Sequence, residues 1–315
     1  MPEAAWYETG PIGGIIGVIV GLVQAIWHLI YSVLNPGLWL SWLGGLETDA
    51  QKESLMRFVY YGASSEFLFA VLVVLLTLTA VGIWRNGFLW GCVRVAEGIA
   101  NGIGRVAAWA GLLMVLQQVI IVFLQRIFRV AEISIGPFGI EFAQDLSWYA
   151  EGLKFYNALV VALCVSWTFV QGGHVRVDLI YSAISHRAQR AMDMVGAVIF
   201  MMPVALVVWL YGWFFMWRHL IVPNPSASNT LDQLLTRSRA LRWNVETTGF
   251  SPNGFSAYFL FKVLLVIFAA LVFLQAWALL WRSYLEWVEG EDSAGRYLDR
   301  DVLGDEPVEQ AREIH

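Results

Sequence analysis

The chain has 315 residues, of which 58% are hydrophobic and only 14% charged; its mean hydropathy is +0.60 and its formal net charge −5. Ordinary globular domains carry about a quarter charged residues. The shortage of ionic surface excludes a soluble enzyme, a disordered chain and a nucleic-acid binder, which would need a basic face. What remains is an all-α polytopic membrane protein, expected to have about six transmembrane helices plus one or two interfacial amphipathic helices. The two cysteines, Cys92 and Cys164, are too few for a disulfide framework.

A crossing needs about 20 predominantly apolar residues. Six stretches qualify, at roughly 11–33, 58–84, 106–128, 152–171, 191–217 and 255–281. The N-terminus is acidic at Glu3 and Glu8, and no small-residue cleavage site follows the first apolar run, so that run is expected to stay as a helix. Gly13, Gly17 and Gly21 recur every four residues along it and predict a smooth stripe on which another helix docks. In the second span, Gly62-Ala63-Ser64-Ser65-Glu66 holds an ionisable residue. At depth Glu66 would bind a proton or ion, and near the interface it would pair.

Between the second and third spans, residues 85–105 alternate Arg85, Arg94, Glu97 and Arg105 with apolar side chains, the pattern of an interfacial amphipathic helix. Residues 176–190 repeat it. Gln117 and Gln118 in the third span, and Asn157 in the fourth, are expected to act as interhelical hydrogen-bond glue. The linker 221–254, rich in Pro, Ser, Asn and Thr, reads as an exposed loop. Lys262 lies close enough to the start of the last span to snorkel to the interface. Residues 286–315 hold ten acidic residues against three arginines and read as a solvated acidic tail.

No Walker loop, HExxH or CxxC pattern is present, and the five histidines form no obvious axial pair for haem. No catalytic residue, metal site or resident cofactor is expected. Secondary carriers build midplane sites from broken helices in repeated halves, and no repeat or broken pair is evident. Basic residues on the two sides of the six spans number ten and nine, which leaves orientation undecided by charge.

From the third span onward a family pattern emerges. Val122-Phe123-Leu124-Gln125-Arg126-Ile127-Phe128 closes that span, and Trp148-Tyr149-Ala150-Glu151 opens the fourth. Gln171-Gly172-Gly173-His174-Val175-Arg176-Val177-Asp178 closes the fourth, and Ser251-Pro252-Asn253-Gly254 precedes the last. In this order the segment resembles, over about residues 94–285, the small Q-type membrane subunit of tripartite ATP-independent periplasmic (TRAP) transporters, with the Gly-Gly-His-Val-Arg-Val-Asp block as its most specific part.

The resemblance implies a four-helix core at 106–285 in a bacterial inner membrane, with both chain ends cytoplasmic. It implies a non-catalytic scaffold for a large M-type subunit, which carries substrate and sodium ions. A periplasmic binding protein would deliver an organic acid to that subunit. The chain departs from the usual short form by two additional helices at 1–84, joined through the 85–105 linker, and by the longer 221–254 loop; the acidic tail 286–315 would be cytoplasmic. Gly172, Gly173, His174, Arg176 and Asp178 are expected to form a helix-ending turn that contacts the large subunit or lipid headgroups. Arg126 and Glu151 are expected at the outer helix ends, within reach of a mutual salt bridge. Two other classes fit the composition: a membrane anchor of a haem or quinone redox complex, and a stand-alone carrier.

Overall fold

The computed structural model describes residues 11–135, 142–172, 181, 184–222, 224–226, 228–236, 240–241, 255 and 257–299. The protein is an all-α polytopic membrane protein, with six helices long and apolar enough to cross a membrane. The helices are α1 (Pro11–Leu34), α2 (Gly37–Leu40), α3 (Asp49–Tyr61), α4 (Ser65–Trp84), α5 (Asn86–Phe123), α6 (Leu146–Gln171), α7 (His186–Gly196), α8 (Met202–Leu220), α9 (Leu231–Thr236) and α10 (Phe259–Glu289). Two small antiparallel pairs, β1 (Glu132–Ile135) with β2 (Phe142–Asp145) and β3 (Ile221–Val222) with β4 (Ala240–Leu241), lie in the connections. Six crossings put the start of α1 and the end of α10 on one face, here called the terminal face.

Two boundaries differ from the sequence expectation. The second span does not start at residue 58, because the helix breaks at Gly62-Ala63-Ser64. α3 is started by a capping box, in which Thr48 accepts from the Gln51 backbone and the Gln51 side chain accepts from the Thr48 backbone. α4 is restarted by Ser64, whose hydroxyl accepts from the Phe67 N–H. The carbonyls at the end of α3 are taken by indoles: Trp213 Nε1 donates to Val59 O and Trp209 Nε1 to Gly62 O, each at 2.8 Å. The break thus lies alongside the outer half of α8. Non-helical backbone at such depth is tolerated only where its polar groups find protein partners. A Cβ on Gly62 would sit 2.1 Å from Trp213. Leu55, Met56 and Val59 of α3 complete this cluster with Trp217 and Leu220.

The second difference is larger. Residues 85–105 are not a separate interfacial helix, for α5 runs unbroken from Asn86 and continues as a π-turn to Phe128, giving one 43-residue rod. At 1.5 Å per residue the rod is about 65 Å long. Two of its polar residues, Glu97 and Asn101, face protein: with Val93, Ala96, Ala100, Gly104 and Ala107 they form a buried stripe at helical spacing. Small residues there let backbones approach. A Cβ on Gly104 would lie 2.2 Å from Trp167 of α6, and Cys164 Sγ donates to Gly104 O at 3.6 Å.

α7 likewise runs through a π-turn, Ala197–Met201, directly into α8, so residues 186–190 of the second expected interfacial helix begin the fifth span; 176–180, 182 and 183 of it lie outside the described residues. Pro203 explains the turn: it offers no N–H to the preceding turn and its ring crowds that turn's carbonyl, which a wider π-turn accommodates. The last span also extends past 281, to Glu289.

Candidate functional site

At the terminal end of the bundle α5, α7 and α10 bring five charged side chains together, three of them almost out of contact with solvent. Glu97 is 5% exposed, Arg282 8% and Glu286 2%. Arg282 donates through Nε and Nη2 to the two oxygens of Glu97, both at 2.6 Å, a bidentate pair. Its Nη1 donates to Arg296 O at 3.0 Å and, more weakly, to Glu286 Oε1 at 3.4 Å. The second oxygen of Glu286 lies 2.8 Å from Arg190 Nε, an ion pair whose N–H does not point along a hydrogen bond. Arg190 also holds Asp193 at 3.1 Å, and the Tyr181 hydroxyl donates to the same carboxylate at 2.8 Å.

Around this cluster the segment after α10 folds back as a strap. Gly295 N donates to Glu286 Oε1 at 3.3 Å. Further on, Asn101 Nδ2 donates to Asp299 O and Oδ2, and Arg105 Nη2 to Asp299 Oδ1 at 3.0 Å. Gln171, the last residue of α6, donates to Asp299 O at 3.1 Å. Arg105 and Asn101 hold the Asp299 carboxyl below its ordinary value. Residues 286–289 are therefore the end of α10, and 290–299 form a strap tied to α5 and α6 although most of its side chains are exposed, as the sequence suggested; residues 300–315 lie outside the described residues.

The chemistry of this arrangement is cross-linking. The carboxylates of Glu97 and Glu286 each face a guanidinium, and the cluster ties α5, α7, α10 and the strap into one unit. Sequence reasoning missed it because Glu97 and Arg282 are 185 positions apart. A signal was present, however: Ala278, Arg282 and Glu286 continue the buried face of α10 at four-residue spacing.

The residues singled out from sequence are dispersed. Gly21 meets α4, where a Cβ would lie 2.7 Å from the Phe69 ring, but Gly17 faces open space, and the side-chain surroundings of Gly13 lie outside the described ones. Of the two described glycines of the stripe, Gly21 is thus the one that makes a docking contact within the chain. Glu66 is exposed in the first turn of α4, where it neither bridges helices nor has a hydrogen-bond partner among the described residues. Gln117 Nε2 donates to Tyr149 O at 2.8 Å, joining α5 to α6 level with the first turn of α6. Gln118 and Asn157 are exposed, and among the described residues neither holds another helix.

Arg126 and Glu151 do not pair. Arg126 is exposed in the π-turn, whereas Glu151 Oε2 accepts from the Phe255 N–H at 2.8 Å. Lys262 does not snorkel: it is 2% exposed, with Nζ 4.2 Å from the Phe215 ring centre. Gly172 ends α6 with φ +76°, the left-handed conformation that glycine accepts without strain. Gly173, His174, Arg176 and Asp178 lie outside the described residues. His28 is exposed on α1, and the described residues contain no group of three side chains able to hold a metal ion. No family model, no curated protein and no solved structure matches the chain.

Proposed function

We propose that this chain is the small, non-catalytic membrane subunit of a TRAP-type transporter, bracing a large subunit that carries an organic acid with sodium ions after delivery by a periplasmic binding protein. The reading places the protein in a bacterial inner membrane with the terminal face cytoplasmic. Besides the Gly-Gly-His-Val-Arg-Val-Asp resemblance, one structural observation supports it. α5 overhangs the bundle on the face opposite the chain ends. Gln117 is level with the first turn of α6, yet helix continues for some ten residues more. That overhang exposes Ile120 (55%), Phe123 (51%), Ile127 (62%) and Phe128 (66%). Contiguous exposed apolar surface marks a place where a partner or lipid sits, and a rigid helix end is suited to gripping another membrane protein.

The test is affinity capture of the full chain from its native membrane in mild detergent, with mass spectrometry of what co-purifies. A membrane protein of roughly a dozen spans is expected, and charge substitutions on the overhang (Ile120→Asp with Phe123→Asp) should reduce its recovery by about tenfold or more. Capture of the chain alone, or with a haem- or quinone-bearing enzyme, would overturn the reading.

A further inference from the structure

On the outer side of the strap, where α4 gives way to α5, the terminal end of the bundle holds a cleft of about 260 Å³. Its walls are Trp90 and Arg94 of α5 on one side, and Glu289, Arg296 and Tyr297 on the other. The two guanidinium groups converge on one ring: Arg94 Cζ lies 5.1 Å and Arg296 Cζ 5.9 Å from the Tyr297 centroid. Tyr297 is held there with φ +58°, an uncommon conformation for a residue other than glycine, and its ring stands edge-on to Trp90 at 5.7 Å. Two like charges on one ring repel unless an anion lies between them.

The cleft's own carboxylate does not serve both. Glu289 accepts from Trp90 Nε1 and Arg296 Nη1, each at 3.1 Å, and from Asn86 Nδ2 at 3.3 Å. Arg94 has neither ion pair nor hydrogen-bond acceptor among the described residues. Among the described residues the cleft therefore carries one uncompensated positive charge. Gly91, one turn before Arg94, opens the floor, since nothing lies within 4 Å of the position its Cβ would take. Beside the cleft the apolar α4 ends at Trp84, which is 90% exposed, as befits an aromatic anchor at the headgroup level.

We propose that this cleft binds the singly charged phosphodiester of a membrane phospholipid, with Arg94 as the principal ligand and Arg296 as the second. Net charge +1 matches a phosphodiester monoanion, and the planar guanidinium fork suits two phosphate oxygens. Exposed apolar side chains stand near the cleft in sequence, Ile83 and Trp84 at the end of α4 and Phe88 and Val95 on α5, and the acyl chains would run along them. A soluble phosphodiester shares the headgroup chemistry but gains nothing from that apolar wall.

The experiment uses the full chain, purified and stripped of lipid in detergent, with phosphatidylglycerol as probe and native mass spectrometry as readout. One phosphatidylglycerol per chain should survive collisional activation that removes loosely held lipid. Arg94→Gln, which removes a charge-assisted contact, should weaken retention by about tenfold or more. Gly91→Leu, which fills the floor without altering charge, should do the same and decides the matter alone if Arg94→Gln does not fold. Glycerophosphoglycerol, the same headgroup without chains, separates the sources: failure to displace the lipid at matched concentration assigns the site to phospholipid, and efficient displacement assigns it to a soluble phosphodiester. No retained lipid, or equal retention by wild type and both variants, would overturn the proposal.

Discussion

Arg282 is held by two oxygens of Glu97, one of Glu286 and the carbonyl of Arg296. Taking one partner from such a buried pair leaves a charge without compensation, at a cost of roughly 3–5 kcal/mol, whereas replacing both with apolar side chains is often close to neutral. Glu97→Met strips Arg282 of its bidentate partner and leaves it only the Arg296 carbonyl and the longer 3.4 Å contact with Glu286. Glu97→Met with Arg282→Met removes both members of the bidentate pair together and leaves Arg190 in place between Glu286 and Asp193. The double variant should therefore unfold at a higher temperature than the single one, as followed by tryptophan fluorescence in detergent. A single variant as stable as wild type would show that the cluster is not buried as described. Asp299 differs in being mostly exposed. Its folded-state value is depressed, so its contribution to strap docking is present above the ordinary carboxylate value of about 3.8 and is lost only as pH falls through the lower, folded value. Limited proteolysis after α10 should be flat from neutral pH down to about 4 and rise below that. In Asp299→Asn, which removes the charge, it should already be raised at neutral pH.

Among the elements, α1 is the least embedded: Ala25 is its one fully buried described residue. Its contact with α4 passes through Gly21, where a larger side chain must displace the Phe69 ring, while Gly17 has room. Gly21→Leu should therefore loosen the α1–α4 pair and lower thermal stability by about 1–3 kcal/mol; Gly17→Leu should leave the isolated chain unchanged. A loss of stability from Gly17→Leu alone would mean that α1 packs through a different face. The sequence showed both glycines and could not separate them, because four-residue spacing gives a face but not how far the neighbouring helix runs along it.

The same limit explains α5. Hydropathy marks where a helix is apolar, and Glu97, Asn101 and Arg105 depress it over 85–105. Yet no proline interrupts Asn86–Phe128, and those polar side chains meet Arg282, Asp299 and Gln171. Helix continuity was legible in the absence of a breaker; the partners were not, since they lie 70 to 198 residues away along the chain. The α3–α4 break was hidden for the opposite reason. Tyr61-Gly62-Ala63-Ser64 is apolar enough to pass as membrane helix, and only the Ser64 cap and the two indoles of α8 show that it is not.

At the scale of the whole molecule, the length of α5 constrains how the bundle sits. A rod of about 65 Å exceeds a bilayer of 40–45 Å including headgroups, even at an ordinary tilt of about 20°. One or both of its ends must emerge. Its start is the end that carries polar partners and the strap, so the terminal-face portion is expected to stand in water or headgroups. Impermeant maleimide labelling tests this together with the six-pass topology, in a background with Cys92→Ala and Cys164→Ala. Asp49→Cys, 96% exposed at the start of α3, and Asp292→Cys, exposed just past α10, should label from opposite sides of a sealed membrane. Gly98→Cys, in open space on α5, should label from the same side as Asp292→Cys, and Leu116→Cys from neither. Labelling of Asp49→Cys and Asp292→Cys from one side would require an even number of crossings between them, instead of the five that α4, α5, α6, the joined α7 and α8, and α10 supply, and would break the antiparallel packing of α4, α5 and α10. Protection of Gly98→Cys would place the charged cluster within the hydrocarbon. The cluster would then be a set of ion pairs sealed inside the membrane, not the lock at its surface that the strap, the exposed Trp84 and the polar end of α5 together describe.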